Sequence, residues 1–253
     1  MGAGSKWRPM ALGLISMMTI LVVWQLIMSA GLVNPFLLSS PLTIAAEMGR
    51  LFQTGDIIHH FVASGISLLI AFALAGSVGI LLGVLAGWYR PVEKALDPFV
   101  WFTYSTPAVA FYPVFVAWFG FGRPTAVAVA VVFAMTPIYA NTLTGVKAMN
   151  ADLVRMAQSF GAEPKDIFAS VVIPGSVPLI VGGLQLGAGR ALTGVVIAEL
   201  FGSNAGLGFA IAYNAMNMDT AKMMVYMCLV VILGLMLTQL MAGLARYADR
   251  WRP

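Results

Sequence analysis

Polar and apolar positions follow one another along this chain in long blocks. Six blocks, at about 10–33, 61–88, 98–119, 125–146, 177–200 and 223–245, are predominantly apolar, and roughly 20 such residues in a helix cross the hydrocarbon core of a bilayer. The pattern predicts an all-α integral membrane protein with six transmembrane helices in a single domain over 1–253. Lys6 and Arg8 precede the first block in the manner of a signal peptide. Its apolar stretch is too long for one, and no small-residue cleavage site precedes Asn34-Pro35, so the block is read as a retained helix.

Three segments between the blocks are neither plain loop nor membrane span. In 34–60, Ser40-Pro41 supplies a helix start and Ile44, Met48 and Leu51 recur at helical spacing, which predicts a short interfacial helix. After the fifth block, "FGSNAGLGFAIAYNAMNMDTAK" reads as a small-residue turn followed by a short re-entrant or interfacial piece. The third is 151–174, containing "RMAQSFGAEPKDIFASVVIP". Its first part predicts a helix over 151–160 with Leu153, Met156, Ala157 and Phe160 along one side. Gly161 suits the left-handed position that ends a helix, and Pro164 the first turn of the next. Ile167, Phe168, Val171 and Val172 form the apolar side of that second helix, and Ile173-Pro174 is expected to end it before the fifth span. Two short amphipathic helices meeting at a glycine make a compact knob, suited either to packing on the membrane surface or to a partner.

Composition and charge then narrow the class. Only 9% of residues are charged and mean hydropathy is +0.90, where a water-soluble domain carries about 25% charged residues. The net charge of +4 is chiefly a topology signal. Lys6, Arg8, Arg90, Lys94, Lys147, Arg155, Lys165, Arg246, Arg250 and Arg252 lie at the termini and even-numbered loops, against Arg50, Arg123 and Lys222 in the odd loops. That bias predicts both termini in the cytoplasm and argues against nucleic acid as the partner. The single Cys228 excludes an internal disulfide. His59 and His60 point to different helix faces with no third ligand nearby, so no metal site is expected. No P-loop, H-E-x-x-H or G-x-S-x-G motif occurs, so enzymatic activity is not expected of this chain and no cofactor is assigned to it.

Inside the spans, the candidates for a transport path are few. Gly79 and Gly83 let a neighbouring helix approach closely. Pro107, Pro113 and Pro137 bend their helices, accompanied by Trp101, Tyr104, Phe111, Tyr112 and Phe115. These aromatics are either an interfacial belt with packing or the lining of a gated passage; Asn141, one turn past Pro137, either re-satisfies backbone or lines the same passage. Arg190 and Glu199 are intramembrane charges, roughly 180° and ~13 Å apart along one helix, so they do not pair with each other. Arg190 lies deep in the span and suits an anion, whereas Glu199 lies near the outer end, where a structural partner is as natural.

The helix with Ala157, the Gly161-Ala162 turn and the run ending Val171-Val172-Ile173-Pro174 resemble the EAA loop of binding-protein-dependent transport permeases, the membrane subunits of bacterial ABC importers. "STPAVAFYPVFVAWFGFG", "MTPIYANTLTGV" and "GRALTGVVIAELFGSNAGLG" are similar to the branch that imports taurine, aliphatic sulfonates and nitrate. The resemblance implies a type I importer permease fold in the bacterial inner membrane, a second permease subunit in a homodimer, and two separate ATPase subunits holding ATP and magnesium. It also implies a periplasmic substrate-binding protein and a small, anionic cargo. ATPase coupling would fall to Arg155, Ala157, Phe160, Gly161, Ala162, Glu163, Ile167 and Pro174. The family's leading glutamate falls at Arg155 and its first alanine at Met156, so the charge complementarity of the contact is altered here, or Glu163 supplies the anion. An aromatic carboxylate or vitamin precursor as cargo, or a secondary transporter working alone, are the alternatives.

Overall fold

A computed structural model describes residues 7–149 and 151–248; Lys6, Arg250 and Arg252 of the charge pattern lie outside them. The helices are α1 (Trp7–Ser29), α2 (Pro41–Gln53), α3 (Asp56–Trp88), α4 (Arg90–Ser105), α5 (Tyr112–Phe119), α6 (Arg123–Lys147), α7 (Ala151–Ser159), α8 (Pro164–Ile167), α9 (Ile173–Gly202), α10 (Leu207–Met216) and α11 (Thr220–Ala248). A 3-10 turn at Ala108–Phe111 leads into α5, and a π turn at Phe168–Val172 joins α8 to α9. Among the described residues, five helical stretches are long and apolar enough to span a membrane, and α4 with the bent segment Val109–Phe119 makes a sixth if that pair is one span.

α6 is the centre of the bundle, clasped between α3 and α9. Glycines make the clasp possible. A Cβ on Gly83 of α3 would sit 2.6 Å from Cβ of Thr142, and one on Gly194 of α9 would sit 2.6 Å from Cα of Ala130. Backbones therefore meet where side chains would stand, and dispersion contact replaces the hydrophobic drive that lipid cannot supply. Ala130, Ala134 and Ile138 of α6 are fully buried between the two glycine faces. The expected helix at Ser40-Pro41 is present as α2, whose Thr43 N–H donates to the Ser40 hydroxyl at 3.2 Å. α1 leans on α2 through Gln25, whose Oε1 accepts the Leu42 N–H at 3.2 Å, and otherwise turns apolar side chains such as Leu12 and Ile20 outward.

Two expectations are corrected. The third span, expected over 98–119 with a proline bend, begins earlier and turns far more sharply: α4 begins at Arg90, and its axis meets the α5 segment at 96°. Pro107 is the cause, because a residue before proline is driven out of the helical region, and Thr106 is extended at φ −86°, ψ 130°. Pro113 is harmless, sitting in the first turn of α5. The second correction concerns Ile173-Pro174, which does not end the knob's second helix. Helix runs unbroken over Pro164–Gly202, 39 residues. Pro174 has no N–H and crowds the carbonyl four residues back, and the π turn just before it absorbs that conflict: the Ile173 N–H reaches Phe168 O, five residues away.

Candidate functional site

The knob forms at one end of the bundle, where α6 hands over to α9. α7 stops at Gly161, which adopts φ +80°. Ala162 N–H donates to Ala157 O at 3.1 Å and Gly161 N–H to Gln158 O at 2.9 Å, the paired bonds of a Schellman stop. Nothing lies within 4 Å of where a Gly161 Cβ would be, so glycine is demanded by the backbone and not by space. The next helix starts at once: the Glu163 N–H donates to the Asp166 carboxylate at 3.3 Å and Pro164 occupies the first turn. Ile167 and Val172 are buried against Val146 of α6, with Val154, Ala157 and Ala162 packed around them. Trp88 at the end of α3 meets Phe168 edge-to-face at 4.8 Å, and Lys147 pairs with Glu93 beside them. The knob is thus bolted to three helices.

The apolar side expected of the first knob helix divides in two. Ala157 turns inward, whereas Leu153, Met156 and Phe160 are 43%, 55% and 85% exposed. Arg155 projects beside Asp152 at 3.9 Å, and Glu163 pairs with Lys165 at 2.8 Å. Pro174 sits half-buried behind the π turn. The knob is thus a peg with an apolar tip ringed by charge.

Of the expected pathway residues, the structure brings two together. Arg190 on α9 and Tyr104 at the α4 elbow line a cavity of about 710 Å3, with Thr103, Thr106 and Thr136 adding hydroxyls. Arg190 has no carboxylate partner among the described residues. Asn141 lies outside this cavity and spends its amide on the Pro137 carbonyl, at 2.9 Å. Tyr112 packs against Phe201 with its hydroxyl tucked in beside Gly202. Glu199 is only 2% exposed and belongs to a different construction.

That construction lies at the far end of α3 and α9 from the knob. Glu199 accepts from the Ser64 hydroxyl at 2.7 Å and from the Gly208 N–H at 3.0 Å. Ser64 in turn accepts the Leu207 N–H at 2.7 Å, and Nδ1 of His60 accepts the Gly206 N–H at 3.2 Å. The first N–H groups of α10 are therefore capped by side chains of α3 and α9. Its own N-cap residue is Gly206, which has no side chain to offer. Glycine is also required at 208, where a Cβ would come within 2.7 Å of Glu199 Cβ. Behind His60 stands Asp56, which accepts the Tyr226 hydroxyl at 2.5 Å and so brings in α11. The one signal in the sequence was a helix start flanked by glycines and lacking any local capping residue.

The described residues form a multi-pass helical bundle with a polar cavity among its helices and an apolar-tipped knob at one end. Residues 79–252 match the binding-protein-dependent transport system inner membrane component, and the chain belongs to that family. A Bacillus subtilis (strain 168) permease, SsuC, named for aliphatic sulfonates transport, is 29% identical over 95% of this chain and 87% of its own. The taurine transport system permease protein TauC of Escherichia coli (strain K12) is 28% identical, over 97% and 93%. The fold is that of an ABC importer permease: a chain from an inward-facing structure of the MetNI methionine ABC transporter superposes with a TM-score of 0.57 at 20% identity, covering 78% of this chain and 95% of that one. The chain is a transport subunit and not itself an enzyme, and family membership does not favour the stand-alone secondary transporter.

Proposed function

We propose that this permease carries small organic anions of the sulfonate type through the cavity beside Arg190. The observation behind the reading is that unpartnered guanidinium, set among hydroxyls in a cavity lined by the spans. A cation in that position is costly without a counter-charge, and a transient anionic cargo supplies one with bidentate geometry. Relatives named for sulfonate and taurine transport support the same choice.

The rest of the machine follows the charge pattern and the peg. The knob and both termini face the cytoplasm, where Phe160, Met156 and Leu153 enter a groove on an ATPase subunit. Arg155, Gly161, Ala162 and Glu163 shape the contact, and Ala157, Ile167 and Pro174 hold it rigid from behind. Two copies of this chain pair, two ATPase subunits hold the ATP and magnesium, and this chain binds no cofactor. A binding protein delivers cargo to the opposite face.

Uptake of radiolabelled taurine into proteoliposomes, with the permease, its ATPase and its binding protein together, tests the reading. Arg190→Gln is expected to lower sulfonate uptake by about tenfold and leave ATP hydrolysis intact. Uptake of a neutral pyrimidine in place of any sulfonate, or the same sulfonate uptake in Arg190→Gln, overturns it.

A further inference from the structure

The capped start of α10 has a consequence for how motion crosses the molecule. Helix is continuous from Pro164 in the knob to Gly202, 39 residues, or about 58 Å of rod. Glu199 sits three residues from the far end of that rod, and in the rod's middle Gly187 seats the Ile138 side chain of α6 while Gly194 meets the Ala130 backbone. At the far end the rod packs against α10 at Gly208, beside the Val196 carbonyl, and the side chain that hydrogen-bonds from the rod to α10 is Glu199. The Glu199 carboxylate touches Gly208 N–H directly and Leu207 N–H through Ser64, while α3 adds His60 to Gly206. The turn between α9 and α10 is short, residues 203–206, and its Ser203 hydroxyl stays within the loop, bonding Ala205 O at 2.8 Å.

α10 also has something to present. Its outward residues Tyr213 and Met216 are exposed, and Tyr213 and Asn214 line a cavity of about 400 Å3 shared with Asp56, His60 and Tyr226. This is the face opposite the knob, and it is where cargo arrives.

We propose that Glu199 is a positioning residue for transport: its carboxylate couples the knob-to-surface rod of α9 to α10, so that the surface under the binding protein moves with the ATPase. The proposal rests on the importer reading above. It makes α10 a follower of α9 and not an independent lid, and it assigns Ser64 the supporting role of carrying the carboxylate's hold to the Leu207 N–H. Because coupling between two sites is reciprocal, loss of the joint shows at the ATPase as loss of response to the binding protein, with the ATPase's own docking untouched.

The test uses the assembled complex in lipid nanodiscs, with ATP hydrolysis measured without and with loaded binding protein. Glu199→Ala is expected to keep basal hydrolysis within about twofold while the stimulated-to-basal ratio falls about tenfold. Glu199→Gln, which retains an oxygen acceptor for the Gly208 N–H, is expected to restore at least about half of the stimulation. A purely structural role would lower assembly and both rates together. Should Glu199→Ala fail to assemble, Ser64→Ala removes two of the four bonds with little change in volume, and its ratio is expected to fall about threefold. An unchanged ratio in Glu199→Ala, or in Ser64→Ala where that variant stands in, overturns the proposal while leaving the importer reading intact. A wild-type complex that no binding protein stimulates overturns the importer reading and this proposal together.

Discussion

The two ends of α9 are built on opposite rules. At the end holding Glu199, polar groups are hidden and engaged with one another: a carboxylate, a hydroxyl and an imidazole all accept bonds within the chain. At the knob end, apolar groups are displayed: Phe160, Met156 and Leu153 stand out, with a buried layer of Ile167 and Val172 stiffening them from below. Each pattern reverses what water or lipid alone would favour. Buried polar groups stay buried when the chain supplies every partner, and exposed apolar groups persist when another surface covers them. One end is therefore largely closed within the subunit, and on the proposed reading the other is covered by a second protein.

The contrast depends on a stiff connection between the ends, and the largest effect is expected from breaking it. Gly83→Leu places a branched side chain where a Cβ already comes within 2.6 Å of Thr142, costing about 3 kcal/mol or more and lowering the detergent melting temperature and the yield of folded protein. Gly65→Leu on the same helix meets nothing within 4 Å and is expected to be near neutral. Next in size is Phe160→Ala. With 85% of its surface exposed, Phe160 contributes nothing to the subunit's own fold, so melting is unchanged. As the tip of a docking peg it is expected to weaken ATPase affinity about 30-fold, read by titrating the ATPase onto the reconstituted permease. Gly161→Val follows. The strain of φ +80° on a β-branched residue is about 1–2 kcal/mol, enough to tilt the knob and cut ATP-driven uptake about tenfold. Membrane insertion persists, and Gly161→Asn, which tolerates the left-handed region, recovers most of the uptake.

The knob end was readable from the chain because its signals are local. Gly161, Pro164 and the flanking apolar residues act within a few positions of one another, and the cap of α2 at Ser40 is of the same kind. The other end was not readable, because Ser64 stands 135 residues from Glu199 and 143 from Leu207. Read one residue at a time, Glu199 is an intramembrane charge suited to a pathway or a structural partner, and only packing chooses between them. Pro107 and Pro174 teach a related lesson. Both announce a disturbance, but an elbow of 96° results at one and a π turn within an unbroken helix at the other. Local sequence tells that a proline conflicts with the helix; the neighbours decide whether the chain bends or bulges.

The smallest effect is expected at Arg155, and it sharpens what kind of surface the open end meets. The resemblance to the EAA loop implies a glutamate there, whereas this chain presents a guanidinium 78% exposed, 3.9 Å from Asp152. Its geometry leaves the knob's backbone and buried layer untouched, so reversal of the charge does not alter the peg's shape. An exposed charge contributes at most about 1 kcal/mol to a contact, roughly fivefold in affinity. Arg155→Glu is therefore expected to weaken ATPase binding up to about fivefold at low salt, with the difference fading above about 0.3 M as the charges are screened. Phe160→Ala keeps its full effect at the same salt, because burial of an aromatic ring is not electrostatic. Tighter binding of Arg155→Glu would mean instead that the ATPase groove is cationic, and that Arg155 is held against it by the apolar tip alone.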